Sequence, residues 1–597
     1  MYPRTAIAPR AVAPPAMSEP DPPDPSVEPS PVAVSAGDPA AAADPAAADL
    51  AAATPARPAA GAAGAGRGVL YIAFAKFYFM FVGLVMQLRL PAILSRGAFG
   101  SYSLVSNIAS LVNNVLVTGT IQAVSRFSAQ EPAKARRVQD AGLRMHVRLG
   151  LVIGVGFVAA APLVSWALLD ASKTAPLMLA GLIITGYSFY AVFVGTANGL
   201  HQFHKQAGLD VTFATLRAAG VLGMAMAGLG VLGVIGGWVA AVGLILCASV
   251  VWIGLPGRIP REDRLPVRPL IGFFAGVAIY LFLFNALMFA DSILIKRLTT
   301  EHFAAEAAAY ARALASALPW AARSAVGGGL ETGSLTGYAA DPSVLADVQN
   351  AYYAAVQNLA RLSYQAIIAV TFVVFPLVSR STFADDRDTT RRYLQVTSRY
   401  SLMFAGAIAV VMAANPAEVL GLVYAPDYQR AGAPALPILA FGNVAFSMLA
   451  INGTILNGAG QTRAAVAVAA ASLALAVAGN WIAIPLAAPS GRVLEASAAV
   501  TAGAMLVGAV ASGLLLRRRL GGYLPLVSFA RIALATAAAL GAGRALALHG
   551  KLLTLVEAVA VAAVFLVVLI ATGELGRRDL QAIKAVRARR AAGGGDA

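Results

Sequence analysis

The chain has 597 residues, a formal net charge of +16 and a sequence pI near 10.1, and 58% of its residues are hydrophobic. A mean hydropathy of +0.72 with only 12% charged residues excludes an ordinary soluble globular protein and indicates a polytopic membrane protein. The one cysteine, Cys247, lies in an apolar run, which excludes a disulfide framework and a cysteine-based metal site.

The N-terminal segment differs in composition from the rest of the chain. Residues 1–66 are rich in proline and alanine and contain few large apolar side chains. Such a segment buries too little apolar surface to offset the entropy lost on ordering, so we predict a disordered cytoplasmic tail. It has no basic stretch followed directly by an apolar core, and we therefore do not interpret it as a signal peptide.

Fourteen predominantly apolar stretches follow this tail. A helix needs about 20 such residues to cross about 30 Å of hydrocarbon, and the stretches are of that length. They lie near residues 69–91, 99–121, 149–170, 177–200, 209–230, 233–255, 269–295, 353–377, 396–414, 434–457, 464–486, 495–516, 524–546 and 552–573. The predicted fold class is an all-α polytopic membrane protein with about 14 transmembrane helices.

The distribution of lysine and arginine predicts the orientation. If the N-terminus is cytoplasmic, the loops after even-numbered spans and the C-terminal tail hold more than half of the 45 basic residues, and the opposite loops hold far fewer. By the positive-inside rule, both termini are then cytoplasmic. The basic excess is spread over loops that face anionic membrane lipids, so it requires no nucleic-acid partner.

Matches at three places indicate that the first twelve spans are two copies of a six-helix unit. The matching pairs, in chain order, are Ser101–Leu111 with Tyr352–Leu362, Val124–Arg126 with Val378–Arg380, and Asn198–Gln202 with Asn457–Gln461. Because six is even, both copies enter the membrane from the same side, and the pseudo-twofold axis should lie along the membrane normal. The predicted domains are a six-helix bundle at 67–258, a second at 267–516, two further transmembrane helices at 524–573 and a basic cytoplasmic tail at 574–597.

Several short motifs resemble those of one transporter family. Leu94–Ser103 is similar to its hallmark of a leucine, a small spacer, Phe-Gly, any residue and Tyr-Ser. Further resemblances follow in family order at Ala290–Ile295, Phe375–Ser379, Tyr424–Ala431, Asn457–Gln461, Asn480-Trp481 and Ile484-Pro485. Over residues 69–516 the chain therefore resembles the polysaccharide flippases of the multidrug/oligosaccharidyl-lipid/polysaccharide (MOP) exporter superfamily.

This resemblance implies a function and a location. A flippase of this kind moves a polyprenyl-pyrophosphate-linked oligosaccharide across the bacterial cytoplasmic (inner) membrane by alternating access, for cell-surface polysaccharide biosynthesis. Its expected partners are the lipid-linked oligosaccharide, anionic lipids, and a polysaccharide polymerase or glycosyltransferases. The chain departs from the family at 298–349, where we expect an external insertion with a helix over 303–324.

Charged residues inside the predicted spans are the candidate substrate-binding residues, because charge in the membrane is costly and usually faces a cavity or a partner. They are Lys76, Arg217, Arg361 and Asp291. Three cations and one anion would attract a diphosphate, with Lys76 nearer the inner end and Arg361 nearer the outer end. The alternative is that Lys76 reaches the interface and Arg361 pairs with Asp291 structurally. Secondary polar candidates for sugar hydroxyls are Asn113, Asn114, Gln122, Gln357, Asn358 and Gln365.

Signals for other chemistry are weak. Gly228–Gly233 fits a dinucleotide-binding fingerprint, but it joins two membrane spans and follows no strand, so we reject it. We predict no cofactor, no metal site, no catalytic residue and no enzymatic activity. Two alternatives to the flippase remain open: a cation-coupled multidrug exporter of the same superfamily, and a membrane-embedded glycosyltransferase or polysaccharide polymerase.

Overall fold

The computed structural model describes residues 62–317, 341–365, 367 and 387–576. These residues form helices joined by short connections, and they contain no strand. Most of the predicted tail at 1–66 and of the basic tail at 574–597 lies outside the described residues, as does the motif at Phe375–Ser379.

Fourteen long helices follow one another along the described chain. Their bounds are α1 Ala62–Ile93, α2 Arg96–Gln130, α3 Ala135–Ala167, α4 Thr174–Gly199, α5 Phe203–Met226, α6 Gly230–Ile253, α7 Arg268–Ala317, α8 Pro342–Ala360, α9 Arg387–Ala414, α10 Ala435–Gly458, α11 Thr462–Ala487, α12 Val493–Leu520, α13 Leu526–Leu546 and α14 Lys551–Ala571. Two short helices, Pro416–Gly421 and Pro426–Gly432, lie between α9 and α10.

Thirteen of the described helices are long and apolar enough to cross a membrane. The remaining predicted span, 353–377, begins in α8, and its inner part falls outside the described residues. The predicted fold class, an all-α polytopic membrane protein, is confirmed.

The helix packing repeats with a shift of six helices. In the first half, α1 packs on α5, α2 and α3 pack on α4, and α6 packs on both α4 and α5. In the second half, α7 packs on α11, α8 and α9 pack on α10, and α12 packs on both α10 and α11. The halves meet where α2 contacts α7 and α8, so the pseudo-twofold axis passes between the equivalent helices α2 and α8. We call α1–α6 the N-half and α7–α12 the C-half.

The loops between α4 and α5 and between α10 and α11 show the repeat in the backbone itself. Both loops place a residue of positive φ at the same position, His201 (56°) in the N-half and Gly460 (74°) in the C-half. The next residues donate equivalent hydrogen bonds, Gln202 N to Ala197 O at 2.8 Å and Gln461 N to Leu456 O at 2.7 Å. The two turns are thus the same C-terminal capping structure, built once with histidine and once with glycine.

Helix α7 corrects the expectation for the 298–349 stretch. Residues 303–317, the described part of the helix predicted over 303–324, are helical, but they continue α7, which runs without interruption for 50 residues to Ala317. At 1.5 Å per residue this helix is about 75 Å long, so roughly half of it extends beyond a bilayer core. The other end of the stretch begins α8 at Pro342, where Asp341 accepts a hydrogen bond from Ser343 N as the N-cap.

The two C-terminal helices lie outside the repeat. Helices α13 and α14 pack on each other and on α9. Apolar side chains of all three form a cluster of their own, around Val410, Ala539 and Phe565. At its edge, Glu574 is buried and lies 3.2 Å from Arg399 Nε and 3.4 Å from Arg531 Nη1.

Candidate functional site

The junction of α2, α7 and α8 brings the two halves together, and its tightest approach explains part of the hallmark motif. Ser95 caps α2 by accepting a hydrogen bond from Ala98 N. Gly100 then lies against the backbone of α8, where a Cβ atom would come within 1.7 Å of the Asp347 carbonyl oxygen. Only glycine permits this distance, and the neighbouring Phe99 and Tyr102 are fully buried.

Arg361 lies at the end of α8, against α7. One guanidinium nitrogen donates a hydrogen bond to Met288 O at 2.9 Å, and the group lies 4.9 Å from the centre of the Phe289 ring. Its side chain is partly buried. No carboxylate of the described residues lies within 4.0 Å of it, so most of its hydrogen-bond donors are available to a ligand.

Asp291 is fixed by other partners than Arg361. Its carboxylate accepts hydrogen bonds from Tyr353 Oη at 2.7 Å, Gln357 Nε2 at 3.0 Å and Ser292 N at 2.8 Å. The alternative interpretation, a structural bridge between Asp291 and Arg361, is therefore absent as a direct ion pair. Neutral donors and one backbone N–H supply the hydrogen bonds of this carboxylate instead.

Lys76 and Arg217 lie in the N-half, and the side chain of Lys76 is 45% exposed. Lys76 Nζ lies 2.8 Å from Asp210 Oδ2, which joins α1 to α5. The guanidinium of Arg217 lies 4.1 Å from the centre of the Trp238 ring, a cation–π contact between α5 and α6. Arg217 also borders a small cavity of about 10 Å³ beside α1, lined by Phe79, Val82, Gly83, Met86, Ala214 and Ala218.

Asp210 corrects the expected charge balance. The sequence predicts three buried cations and one anion, and Asp210 stands near the start of the predicted span 209–230. Helix α5 in fact begins at Phe203, which places Asp210 two turns inside the helix and buries it. This carboxylate neutralises Lys76. Arg217 and Arg361 are then the two predicted cations that form no ion pair with a carboxylate of the described residues.

The secondary polar candidates divide into three groups. Gln357 holds Asp291, and Asn114 Nδ2 donates to Asn285 Oδ1 at 2.9 Å, linking α2 to α7. Asn113 is buried with no partner for Oδ1, and Asn358 Nδ2 lies 3.5 Å from Tyr424 Oη. Gln122 is exposed and Gln365 is partly buried.

The structure also brings together a charge cluster that the sequence analysis missed. We name Asp170, Lys173, Lys296 and Asp347 the outer ion cluster, because the predicted orientation puts these residues at the outer end of the helices. Their side chains are 0–6% exposed, and four ion pairs of 2.7–2.9 Å connect them. These residues lie at or just outside the ends of predicted spans, where charged residues are common. The one signal would have been that α8 begins at Pro342, ahead of the predicted span 353–377, which places Asp347 inside a helix.

The two carboxylates of the outer ion cluster have pKa values shifted in opposite directions, and burial raises that of Asp347 despite the two neighbouring lysines. Burial raises the pKa of Asp170, but hydrogen bonds from Lys173, Lys296 and Ser172 outweigh it and hold that pKa well below its ordinary value. A second pair lies in more open surroundings, where Arg96, the first residue of α2, contacts Asp427 of the short helix before α10. The hydrogen bond from Arg96 lowers the pKa of Asp427.

Solved structures with the same fold identify the architectural class. The lipid II flippase MurJ in an inward closed conformation matches with a TM-score of 0.60 and 11% identity, over 83% of this chain and 98% of that chain. An outward-facing multidrug resistance MATE transporter of the MOP superfamily matches with a TM-score of 0.54 and 13% identity, over 76% of this chain and 95% of that one. A MOP superfamily transporter from Pyrococcus furiosus, whose binding pocket is described as having reverse polarity, matches with a TM-score of 0.52 and 12% identity over the same shares.

The fold is thus that of MOP superfamily transporters. Within this class, residues 90–316 match the family described as "Polysaccharide biosynthesis protein". No curated protein matches the chain at a significant level. The predicted resemblance is confirmed over residues 90–316 by this family match, and the solved structures confirm the fold.

Proposed function

We propose that this protein is a flippase that moves a polyprenyl-pyrophosphate-linked oligosaccharide from the inner to the outer leaflet of the bacterial cytoplasmic membrane, with both termini cytoplasmic. The match to polysaccharide biosynthesis proteins and the fold shared with a lipid II flippase support this substrate class. A polysaccharide polymerase or glycosyltransferases would then act on the same lipid-linked sugar.

The observation that carries the proposal is the state of Arg361. It lies where α7 and α8 meet, donates to one carbonyl, and contacts no carboxylate of the described chain. A planar guanidinium with free donors suits a diphosphate, because it can make two parallel charge-assisted hydrogen bonds to phosphate oxygens. Arg217 offers a second such cation in the N-half.

The contacts between the halves are consistent with alternating access. Ion pairs and a close backbone approach join the halves at the end that the predicted orientation makes the outer one. In this proposal a diphosphate reaches Arg361 from the inner leaflet while its polyprenyl chain stays in the bilayer. Because Lys76 is paired with Asp210, it would bind the headgroup only if a phosphate replaced the Asp210 carboxylate.

Depletion of the protein in its host tests the proposal. If it is the flippase, lipid-linked oligosaccharide accumulates in the inner leaflet, where a membrane-impermeant lectin detects it in inside-out vesicles but not in intact cells. Restoring the wild-type chain returns the sugar to the cell surface, and the Arg361→Ala variant does not. An unchanged leaflet distribution after depletion contradicts the proposal.

The second candidate is a cation-coupled multidrug exporter, because MATE transporters share the fold. An exporter of organic cations needs an accessible carboxylate in its cleft, but Tyr353 and Gln357 engage Asp291 and Lys76 engages Asp210. Efflux of ethidium from a drug-sensitive host, lost in Asp291→Asn, would favour this candidate over the flippase.

A further inference from the structure

The outer ion cluster consists of two ion pairs, one from each half of the protein. In the N-half, Lys173 Nζ lies 2.7 Å from Asp170 Oδ2, in the connection between α3 and α4. In the C-half, Lys296 Nζ of α7 lies 2.9 Å from Asp347 Oδ1 of α8. Two more pairs, both of 2.7 Å, cross between the halves: Lys173 with Asp347 and Lys296 with Asp170.

This arrangement means that the halves can separate without leaving an unpaired charge. Removing one partner from a buried ion pair is costly, because an uncompensated charge remains in a low-dielectric site. Here separation breaks only the crossing pairs, and each carboxylate keeps a lysine of its own half. Lys296 also keeps its hydrogen bond to Ser343 O at 2.6 Å, and Asp170 keeps those from Ser172.

Other contacts between the halves lie at the same end. The Gly100 backbone touches that of α8 at Asp347, and Asn350 Nδ2 donates to Gly100 O at 3.1 Å. Arg96 of the N-half contacts Asp427 of the C-half. The cluster is thus the buried part of a larger contact that closes the outer end.

We propose that the outer ion cluster is a reversible gate: its two crossing ion pairs hold the outer end shut, and they break together when this end opens. Its use in transport rests on the proposed function. A cluster that only held the two halves together permanently would not need a complete ion pair within each half.

A cysteine reporter measures opening directly. Ser103 is buried, its hydroxyl has no partner, and it lies on the face of α2 that carries Gly100 and Asn107, whose contacts are with α8 and α7. Ser103→Cys, combined with Cys247→Ser, gives a single thiol behind the gate. Its rate of reaction with a membrane-impermeant maleimide, added from outside to intact cells, reports how often the gate opens.

Two sets of changes test the charges. Asp170→Asn with Lys173→Gln removes the N-half pair and leaves the C-half pair intact, and we expect labelling about tenfold faster because close charge pairs across an interface couple this strongly. Asp170→Lys with Lys173→Asp places like charges across the gate and should speed labelling further. Adding Lys296→Asp and Asp347→Lys makes the charges complementary again, and labelling should return to near the parent rate.

The matched control lies one residue along the same helix. Arg297 and Glu301 form an exposed ion pair of 2.8 Å within α7. Neutralising both with glutamine should leave labelling unchanged. The proposal is overturned if the neutral N-half variant labels at the parent rate, or if this control accelerates labelling equally.

The quadruple exchange adds a second criterion. A folded and inserted quadruple variant that stays fast also overturns the proposal, and if it does not insert, the neutral variant alone decides. Labelling needs no substrate, so the two proposals are tested separately. A failed lipid-translocation assay does not contradict the gate, and unchanged labelling does not contradict the flippase proposal.

Discussion

Replacing Arg361 with alanine should abolish most lipid translocation while the protein remains folded and inserted. The guanidinium donates one hydrogen bond to Met288 O, and its remaining N–H groups are enough for two charge-assisted bonds to a diphosphate. Two such bonds, at roughly 1.5–3 kcal/mol each before the cost of desolvation, make a net loss of about 3 kcal/mol, or on the order of 100-fold in rate. The fold loses the Met288 bond and the Phe289 contact, together roughly 2–4 kcal/mol.

The assay for this variant is translocation of a fluorescent polyprenyl-diphosphate-linked oligosaccharide in proteoliposomes, with melting temperature measured on the same preparation. Arg361→Lys keeps the charge but loses the planar pair of donors, so it should retain part of the rate. Arg297→Gln, which removes a partly exposed arginine of α7 that pairs with Glu301, is the matched control and should behave as wild type. Normal translocation by Arg361→Ala would refute the assigned role. A variant that fails to insert would instead indicate a structural arginine.

Further predictions concern the backbone. Gly100→Ala should destabilise the protein by about 1–3 kcal/mol, because the new methyl group would overlap the backbone of Asp347. It should also speed maleimide labelling of the Ser103→Cys reporter. Gly83→Ala is the control: nothing lies within 4 Å of its Cβ, so it should change neither stability nor labelling. Equal effects of the two alanines would contradict the close approach. Gly460→Ala should lower stability by about 1 kcal/mol and His201→Gly should raise it slightly, since both positions have positive φ. Thermal melts in detergent check both, and opposite signs would contradict the equivalence of the two loops.

The fold was largely predictable because bilayer physics leaves few choices. Spans of sufficient apolar length must be helices, and charge bias predicts their orientation. The repeat was visible as well: the matched Tyr102 and Tyr353 are both fully buried at the junction of the halves. The length of α7 was not predictable, since alanine-rich sequence continues a helix beyond the membrane without a hydropathy signal.

The candidate site was predictable as a set of residue types but not as a set of partners. Hydropathy identifies Arg361 and Asp291 as costly charges, yet only the positions of Tyr353 and Gln357 decide that the two do not pair. The outer ion cluster was missed because its members come from separate loops and helix ends. Pairing between the halves depends on tertiary packing, which local sequence patterns do not encode.

The most direct test of the central claim uses the purified protein in vesicles that contain the labelled lipid-linked oligosaccharide in both leaflets. A membrane-impermeant reductant destroys the fluorophores it can reach on the outside. If the protein is a flippase, inner-leaflet fluorophores also become accessible in its presence, at a rate that falls with Arg361→Ala, and ethidium is not transported. The account is contradicted if the inner-leaflet fluorophores stay protected although the protein is correctly inserted, or if the protein transports ethidium instead of the lipid-linked oligosaccharide.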